Sequence, residues 1–184
     1  MQMIDIPGRI IFLNGVPNAG KTTLAKTIQR MTEEPYWHLS LDDFLHGYTE
    51  ENRLRSLETL FARVMHGYLR SLRQLSLCGN NIVAEAVITP DRLGTYLELF
   101  GDLPVLLIGL HVPLHEAQRR EQQRADRRQP YEVSARDLEL VHAHRQYDLE
   151  LNMDQLSPQE AAQRVLAVVA TPPSPTAWER LVTR

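Results

Sequence analysis

The most constraining feature of this sequence is a loop of small residues between an apolar run and a helical pattern. The apolar run covers residues 10–13, the loop reads GVPNAGKT over residues 15–22, and apolar residues then recur at helical spacing as far as Met31. Glycines let such a loop point successive backbone N–H groups at an anion, and the following helix adds the positive end of its dipole. The segment therefore predicts a strand, a phosphate-binding loop and a helix.

The loop matches the pattern G-x-x-x-x-G-K-[ST] at every required position, which indicates a nucleoside triphosphate as the ligand. We expect Lys21 to neutralise charge on the β- and γ-phosphates and the Thr22 hydroxyl to help hold Mg²⁺. The predicted cofactors are therefore ATP and Mg²⁺. The residues expected to bind them are Gly15, Val16, Pro17, Asn18, Ala19, Gly20, Lys21, Thr22 and Thr23.

Strand-like and helix-like segments alternate along the rest of the chain. Residues 36–41, 81–88, 104–112 and 146–153 have the composition of strands, and the longest helical pattern covers residues 50–78. Alternation of this kind is typical of a parallel sheet with helices on both faces. We therefore predict an α/β P-loop NTPase fold of the kinase-like type, with a five-stranded parallel sheet.

The length of 184 residues suits one domain with a substantial core. We predict that residues 1–170 form it, with an arginine-rich lid at about residues 115–130, and that residues 171–184 form a Pro-rich tail. The tail is expected to be a surface arm. Its Trp178 and Leu181 would pack on the body, or alternatively dock on a partner subunit.

Net charge, hydropathy and cysteine content limit the binding partners and the cellular compartment that we expect. The formal net charge of −3 gives no general attraction to nucleic acid or to an anionic membrane. The longest apolar run is too short to span a bilayer. The single cysteine, Cys78, cannot form an internal disulfide, so we expect a cytoplasmic protein in which Cys78 is a small core residue.

Three classes of P-loop protein compete for this sequence. A regulatory GTPase should carry an N-K-x-D signature, which is missing; DRLG at residues 91–94 fits the weaker D-x-x-G pattern without that partner. A mechanical ATPase would usually need a longer chain. A small kinase fits best.

Acidic residues follow two of the predicted strands. A kinase needs a carboxylate near the γ-phosphate to orient or deprotonate the attacking hydroxyl, and ligands of an open parallel sheet bind at its carboxyl edge. We assign catalysis to Asp42, and helix capping or substrate contact to its neighbour Asp43. Glu85 could reach Mg²⁺ through water or contact the substrate; hydrogen bonding to nearby backbone or to an arginine is the alternative.

An arginine-rich helix follows the fourth predicted strand. Arg120, Arg124 and Arg127 would share one face, and their guanidinium groups suit the charge of a transferring phosphoryl group. As a lid, this helix would close over the nucleotide and exclude water. The alternative is a solvated face with Glu116–Arg120 and Glu121–Arg124 pairs.

The sequence resembles the chloramphenicol phosphotransferases, small P-loop kinases that phosphorylate an antibiotic hydroxyl. IIFLNGVPNAGKT resembles that family's opening strand and loop, and VLLIGLHVPLHEAQRREQQRADR resembles its fourth strand and lid. LDDFL is similar to the segment with the family's proposed catalytic base, which falls on Asp42. The resemblance also places matching residues at Arg120, Arg124, Arg127, His142, Tyr147 and Asp148.

One departure from the family lies at the end of the third strand, where two adjacent acidic residues are replaced by Ala84 and Glu85. The predicted function is ATP- and Mg²⁺-dependent transfer of the γ-phosphate to a hydroxyl of a small molecule, which Asp43, Phe44 and Glu85 would contact. Two alternatives stay open: a nucleoside, nucleotide-sugar or polynucleotide-end kinase, and a nucleotide-gated binding module.

Overall fold

The structure of the protein is a computed structural model in which residues 6–49, 51–52, 57–123 and 133–183 are described. Its strands are β1 (Ile10–Asn14), β2 (Tyr36–Leu39), β3 (Asn81–Ala86), β4 (Val105–His111) and β5 (Leu149–Asn152). They form one parallel sheet in the order β2-β3-β1-β4-β5. The predicted five-stranded parallel sheet is confirmed.

Helices cover both faces of this sheet. They are α1 (Lys21–Met31), α2 (Leu41–Leu45), α3 (Leu57–Leu77), α4 (Pro90–Phe100), α5 (Leu114–Gln122), α6 (Ala135–Val141), α7 (Pro158–Ala170) and α8 (Ala177–Val182). One face packs against α1, α6 and α7, and the other packs against α3, α4 and α8. Within the described ranges, no helix is both long enough and apolar enough to cross a membrane.

Alternate residues of β1 feed the two cores, because successive side chains of a strand point to opposite faces. Ile11 and Leu13 pack with α1 and α7, whereas Ile10 and Phe12 pack with α3, α4 and α8. All four are fully buried. Continuous burial of this kind is what an apolar run in a parallel sheet predicts.

The C-terminal segment contributes to the second core. Trp178 is 1% exposed, and its ring centre lies 5.7 Å from that of Phe12. Its indole N–H donates to the Phe100 carbonyl oxygen at 3.1 Å. Packing on the body, the preferred reading for Trp178 and Leu181, is therefore confirmed, and the expected surface arm is reduced to the exposed residues 171–175.

Two local expectations are corrected. Cys78 is exposed rather than buried, because it lies beyond the last turn of α3, where Gly79 turns the chain with a φ of 83°. The second strand ends at Leu39 and not at residue 41, because Ser40 is the N-cap of α2, which begins at Leu41.

Candidate active site

The loop between β1 and α1 is held in shape by two glycines. A Cβ atom at Gly15 would lie 2.8 Å from the Leu110 carbonyl oxygen, so only glycine lets β1 approach β4 this closely. Gly20 has a φ of 94°, in the left-handed region that glycine adopts without strain. The loop residues Val16 and Ala19 are buried and anchor the loop to the core.

Lys21 lies inside the loop and is 8% exposed. Its Nζ donates to the carbonyl oxygens of Gly15 and Val16 at 2.8 Å each. These bonds hold the ammonium charge at the place where the loop would receive phosphate. The structure therefore places the lysine ammonium inside the loop.

A cavity of about 900 Å³ opens at the carboxyl edge of the sheet. One side, here called the loop wall, consists of Val16, Pro17, Asn18, Gly20, Lys21, Thr22, Thr23 and Arg120. The other side, here called the helix wall, consists of Phe61, Met65 and Tyr68 from α3 and Arg92 and Tyr96 from α4. Of the predicted nucleotide-binding residues, Gly15 and Ala19 support the loop from behind instead of lining the cavity, among the residues described.

Glu85 lies between the two walls, and its carbonyl oxygen accepts a hydrogen bond from the Tyr68 hydroxyl of the helix wall at 2.8 Å. Its Oε1 lies 2.9 Å from His38 Nε2, and its carboxylate also accepts from the Thr22 hydroxyl. Burial alone would raise the pKa of Glu85, but the bonds from His38 and Thr22 and the charge of Lys21 lower it overall. The site therefore holds an ionised carboxylate against the hydroxyl of the phosphate loop.

His38 is a residue that the sequence reasoning missed. It lies on β2, which pairs with β3, so the fold brings it to Glu85 across neighbouring strands. A single histidine in a short strand gives no sequence signal of such a contact.

The two adjacent aspartates of α2 have different surroundings. Asp42 is exposed and lines the cavity. Asp43 forms a capping box, since its carboxylate accepts from the Ser40 N–H and hydroxyl, and its own N–H donates to the Ser40 hydroxyl. Phe44 packs edge-on against Tyr68, with ring centres 5.5 Å apart. Contacts of Asp43 and Phe44 with a substrate stay predictions.

Arg120 connects α5 to the loop wall. Its Nε donates to Glu116 Oε1 at 2.7 Å, while its Nη atoms donate to the carbonyl oxygens of Asn18 and Met153 at 3.3 and 3.0 Å. Hydrogen bonds from Arg119 and from Arg120 lower the pKa of Glu116 to about 2. The Glu116–Arg120 pair weighed as an alternative is present, yet Arg120 also lines the cavity.

Arg124 and Arg127 lie outside the described residues. Their assignment as catalytic residues, like the Glu121–Arg124 pair, stays a prediction.

The residues matched to the closing segment form a polar cluster beside the loop. Asn14, the last residue of β1, donates to Tyr147 Oη at 2.8 Å, and Tyr147 Oη lies 2.6 Å from His142 Nδ1. The His111 ring stacks on His142 at 4.0 Å between centres. Burial, reinforced by His111 and His144, lowers the pKa of His142 to about 4. Asp148 accepts from the N–H groups of Leu107 and Ala177 and thereby ties α8 to β4.

A phosphate loop between β1 and α1 of such a sheet defines a P-loop kinase fold, and solved structures agree. APS kinase CysC of Mycobacterium tuberculosis, in complex with AMPPNP and APS, superposes with a TM-score of 0.61 at 18% identity, covering 90% of this chain and 99% of that one. Shikimate kinase of Bacteroides thetaiotaomicron gives 0.61 at 20% identity, with 88% and 98% covered. A sugar kinase from Janibacter gives 0.65 at 19% identity, with 92% and 99% covered.

The particular family follows from the sequence. Residues 8–170 match the family described as "Chloramphenicol phosphotransferase-like protein", and the chain belongs to it. Two Mycobacterium tuberculosis proteins, from strains CDC 1551 / Oshkosh and H37Rv, are each described as "Putative O-phosphotransferase". Each is 30% identical over 200 residues, covering 95% of this chain and 88% of its own length. Family and fold together support phosphoryl transfer of the kinase type.

Proposed function

We propose that this protein transfers the γ-phosphoryl group of ATP to a hydroxyl group of a small molecule in a Mg²⁺-dependent reaction. One observation carries the proposal. A single cavity is lined by the phosphate-loop lysine Lys21, the loop hydroxyl of Thr22, the ionised Glu85 and the exposed Asp42. These are the groups that phosphoryl transfer requires: donors for phosphate oxygens, oxygen ligands for a hard cation and an acceptor for a proton.

The loop would bind the triphosphate through its backbone N–H groups and through Lys21. The lysine ammonium already lies inside the loop, hydrogen-bonded to Gly15 and Val16 carbonyl oxygens. Phosphate oxygens are stronger acceptors for an ammonium because they carry charge. Lys21 would therefore stabilise the charge of the β- and γ-phosphates at little cost in rearrangement.

Thr22 and Glu85 fit a Mg²⁺ ion. Mg²⁺ prefers hydroxyl, carboxylate and water oxygens, and these two side chains contact each other next to the loop. When bound, the ion would neutralise charge on the phosphate oxygens. His38 would keep the Glu85 carboxylate in place on the opposite side.

Asp42 would receive the proton of the attacking hydroxyl. The acceptor oxygen would form a bond to the γ-phosphorus while the bond between that phosphorus and the β–γ bridging oxygen breaks, and ADP would leave. Asp43 is engaged in the α2 cap, whereas Asp42 is exposed to the cavity, which favours Asp42 for this role. Arg120, with Arg124 and Arg127, would donate to the transferred phosphoryl group.

The acceptor is proposed to be a small hydroxylated molecule that binds against the helix wall. The M. tuberculosis relatives are described as O-phosphotransferases, which matches transfer to oxygen. A polynucleotide would need a basic groove, and the net charge of −3 argues against one. We place the reaction in the cytoplasm, where ATP is available.

A screen of hydroxylated compounds tests this proposal. The protein is incubated with ATP, Mg²⁺ and each compound, chloramphenicol included, and the products are analysed for ADP and for the mass of one added phosphate. We expect at least one compound to gain phosphate in stoichiometry with ADP. The Lys21→Ala variant is the negative control, and ADP formation without any phosphorylated compound would instead favour a nucleotide-gated binding module.

A further inference from the structure

The helix wall combines aromatic and apolar side chains with one positive charge. Phe61, Met65, Tyr68 and Tyr96 provide its rings and apolar surface. Among the described residues of this wall, Arg92 alone is cationic. A guanidinium group in such a wall adds nothing to the binding of a purely apolar molecule, whereas it can bind a polar group of a ligand.

The Arg92 guanidinium is only weakly engaged by the protein. It lies 5.5 Å from the centre of the Phe61 ring, and its Nε is 4.0 Å from an oxygen of Asp91. The Asp91 side chain is 78% exposed, so water screens its attraction for Arg92. Among the described residues, Arg92 makes no side-chain hydrogen bond, so its five N–H donors are available to a ligand.

A second donor lies beside Arg92. Tyr96 lines the cavity, although it is only 1% exposed, and its ring packs edge-on against Phe12. Burial raises the pKa of Tyr96 well above its usual range, against the smaller effect of Arg92, so the hydroxyl keeps its proton. No described residue hydrogen-bonds to this hydroxyl. Since Tyr96 lines the cavity, its hydroxyl is able to donate a hydrogen bond to a polar group of a ligand.

We propose that Arg92 and Tyr96 bind an anionic oxygen group, a carboxylate or a phosphate, on the hydroxyl acceptor. This inference rests on the proposed function and names the class of its substrate. Arg92 would provide a charge-assisted hydrogen bond, Tyr96 a second one, and Phe61 and Met65 would cover the body of the molecule. Arg92 is thus a specificity-determining residue.

The charges elsewhere in the cavity fix the orientation of such an acceptor. Asp42, Glu85 and Asp137 are the carboxylates that line the cavity outside the helix wall, and they would repel an anionic group placed there. The same anion is favoured next to Arg92. An anionic acceptor therefore binds with its charged end on the helix wall and its hydroxyl towards Asp42.

Matched pairs of acceptors test the proposal. Phenyllactate and mandelate are compared with their amides, and glycerol phosphate is compared with glycerol, using ADP formation and product mass. We expect kcat/KM for the anionic member to be higher by about 10–100-fold, the usual effect of one hydrogen bond to a charged group. The carboxylate and phosphate arms show which oxyanion is preferred.

Variants assign the effect to the two side chains. Arg92→Gln should remove the preference mainly through the KM of the anionic acceptor, with the KM for ATP unchanged, and Tyr96→Phe should reduce it partly. Arg70→Gln is the matched control, because Arg70 is exposed on α3 and lies outside the cavity lining among described residues. Phosphorylation of neutral members with equal or higher kcat/KM would overturn the proposal while leaving the kinase function intact.

A binding measurement decides the matter if none of these compounds is phosphorylated. In the presence of ADP and Mg²⁺, the anionic members should raise the melting temperature of the wild type more than the neutral ones, and Arg92→Gln should abolish this difference. Equal shifts, or no shift with any compound, would refute the anionic site. Failure of the proposed kinase function would be recognised by a different result: no compound in the wider screen would gain phosphate.

Discussion

The two walls of the cavity are built on different principles. Most of the loop wall is formed by the continuous loop between β1 and α1. The shape of this loop depends on Gly15 and Gly20 and on the buried side chains of Val16 and Ala19. The helix wall consists of side chains from α3 and α4, which are separate in sequence and meet only in the folded molecule. A loop made of backbone binds what all nucleoside triphosphates share, whereas side chains on helices can vary with the acceptor.

This difference has a consequence for substitutions. Changes in the loop wall should affect every reaction of the protein equally, because every acceptor depends on the same phosphate. Changes in the helix wall should affect some acceptors and spare others. Substitutions in the two walls test this division.

Lys21→Ala should give the greatest loss, a decrease in kcat of about 10³–10⁵-fold, which is the range for removing a positive charge from phosphoryl transfer. The loss should be the same for every acceptor that the screen identifies. Lys26→Ala is the matched control, since Lys26 is an exposed lysine on the same helix. Steady-state kinetics checks both variants, and retained turnover in Lys21→Ala would contradict the role of the loop.

Asp42→Asn should lower kcat by about 10²–10⁴-fold, because the amide cannot take the proton of the attacking hydroxyl. ADP binding, measured by calorimetry, should be unchanged. The neighbouring variant Asp43→Asn should keep most of the activity and should lower the unfolding free energy by less than about 1 kcal/mol through the weakened cap. A reversal of these two results would move catalysis to Asp43.

The two walls also differed in how far sequence could predict them. The phosphate loop and the strands were predictable because each depends on neighbours in the chain: a motif at fixed spacing, or a continuous apolar run. The contact of His38 with Glu85 depends on the pairing of β2 with β3, and the position of Arg92 and Tyr96 in one cavity with the loop depends on where α4 packs against the rest of the fold. No local pattern encodes such contacts.

The C-terminal segment shows the same limit. Prolines before Trp178 indicated an arm, but burial of the indole against Phe12 and Phe100 decides its place, and those contacts are distant in sequence. Removing the chain after Thr171 would therefore delete core side chains. Loss of these buried side chains would destabilise the folded protein.

Arg120→Ala should have a smaller effect on the loop wall, a decrease in kcat of about 10–100-fold, as expected for one charged hydrogen-bond donor to the transferred group. The affinity for ADP should change less than kcat. Arg119→Ala is the matched control. Arg119, like Arg120, forms an ion pair with Glu116, but its side chain is 56% exposed and is not among the described residues that line the cavity. Equal kcat values for the two variants would show that Arg120 has only a structural role.

The smallest expected effect concerns pH and the cluster that supports the loop wall. His142 has a pKa of about 4 in the folded chain, against about 6.5 for an unperturbed histidine. Between these values the unfolded chain binds a proton that the folded chain does not, so the free energy of unfolding falls as the pH falls from about 6.5 to about 4. The charged or titratable groups around it are His111, His144 and Tyr147, with Glu150 bonded to His111 at 2.8 Å.

Chemical denaturation at several pH values measures this dependence. The variant His142→Gln should lose part of the slope, because glutamine does not titrate, whereas His66→Gln, at an exposed site on α3, should keep it. Since Tyr147 joins His142 to Asn14 at the end of β1, the same protonation should also weaken ATP binding more than acceptor binding. Equal weakening of both would show that the cluster does not belong to the loop wall alone.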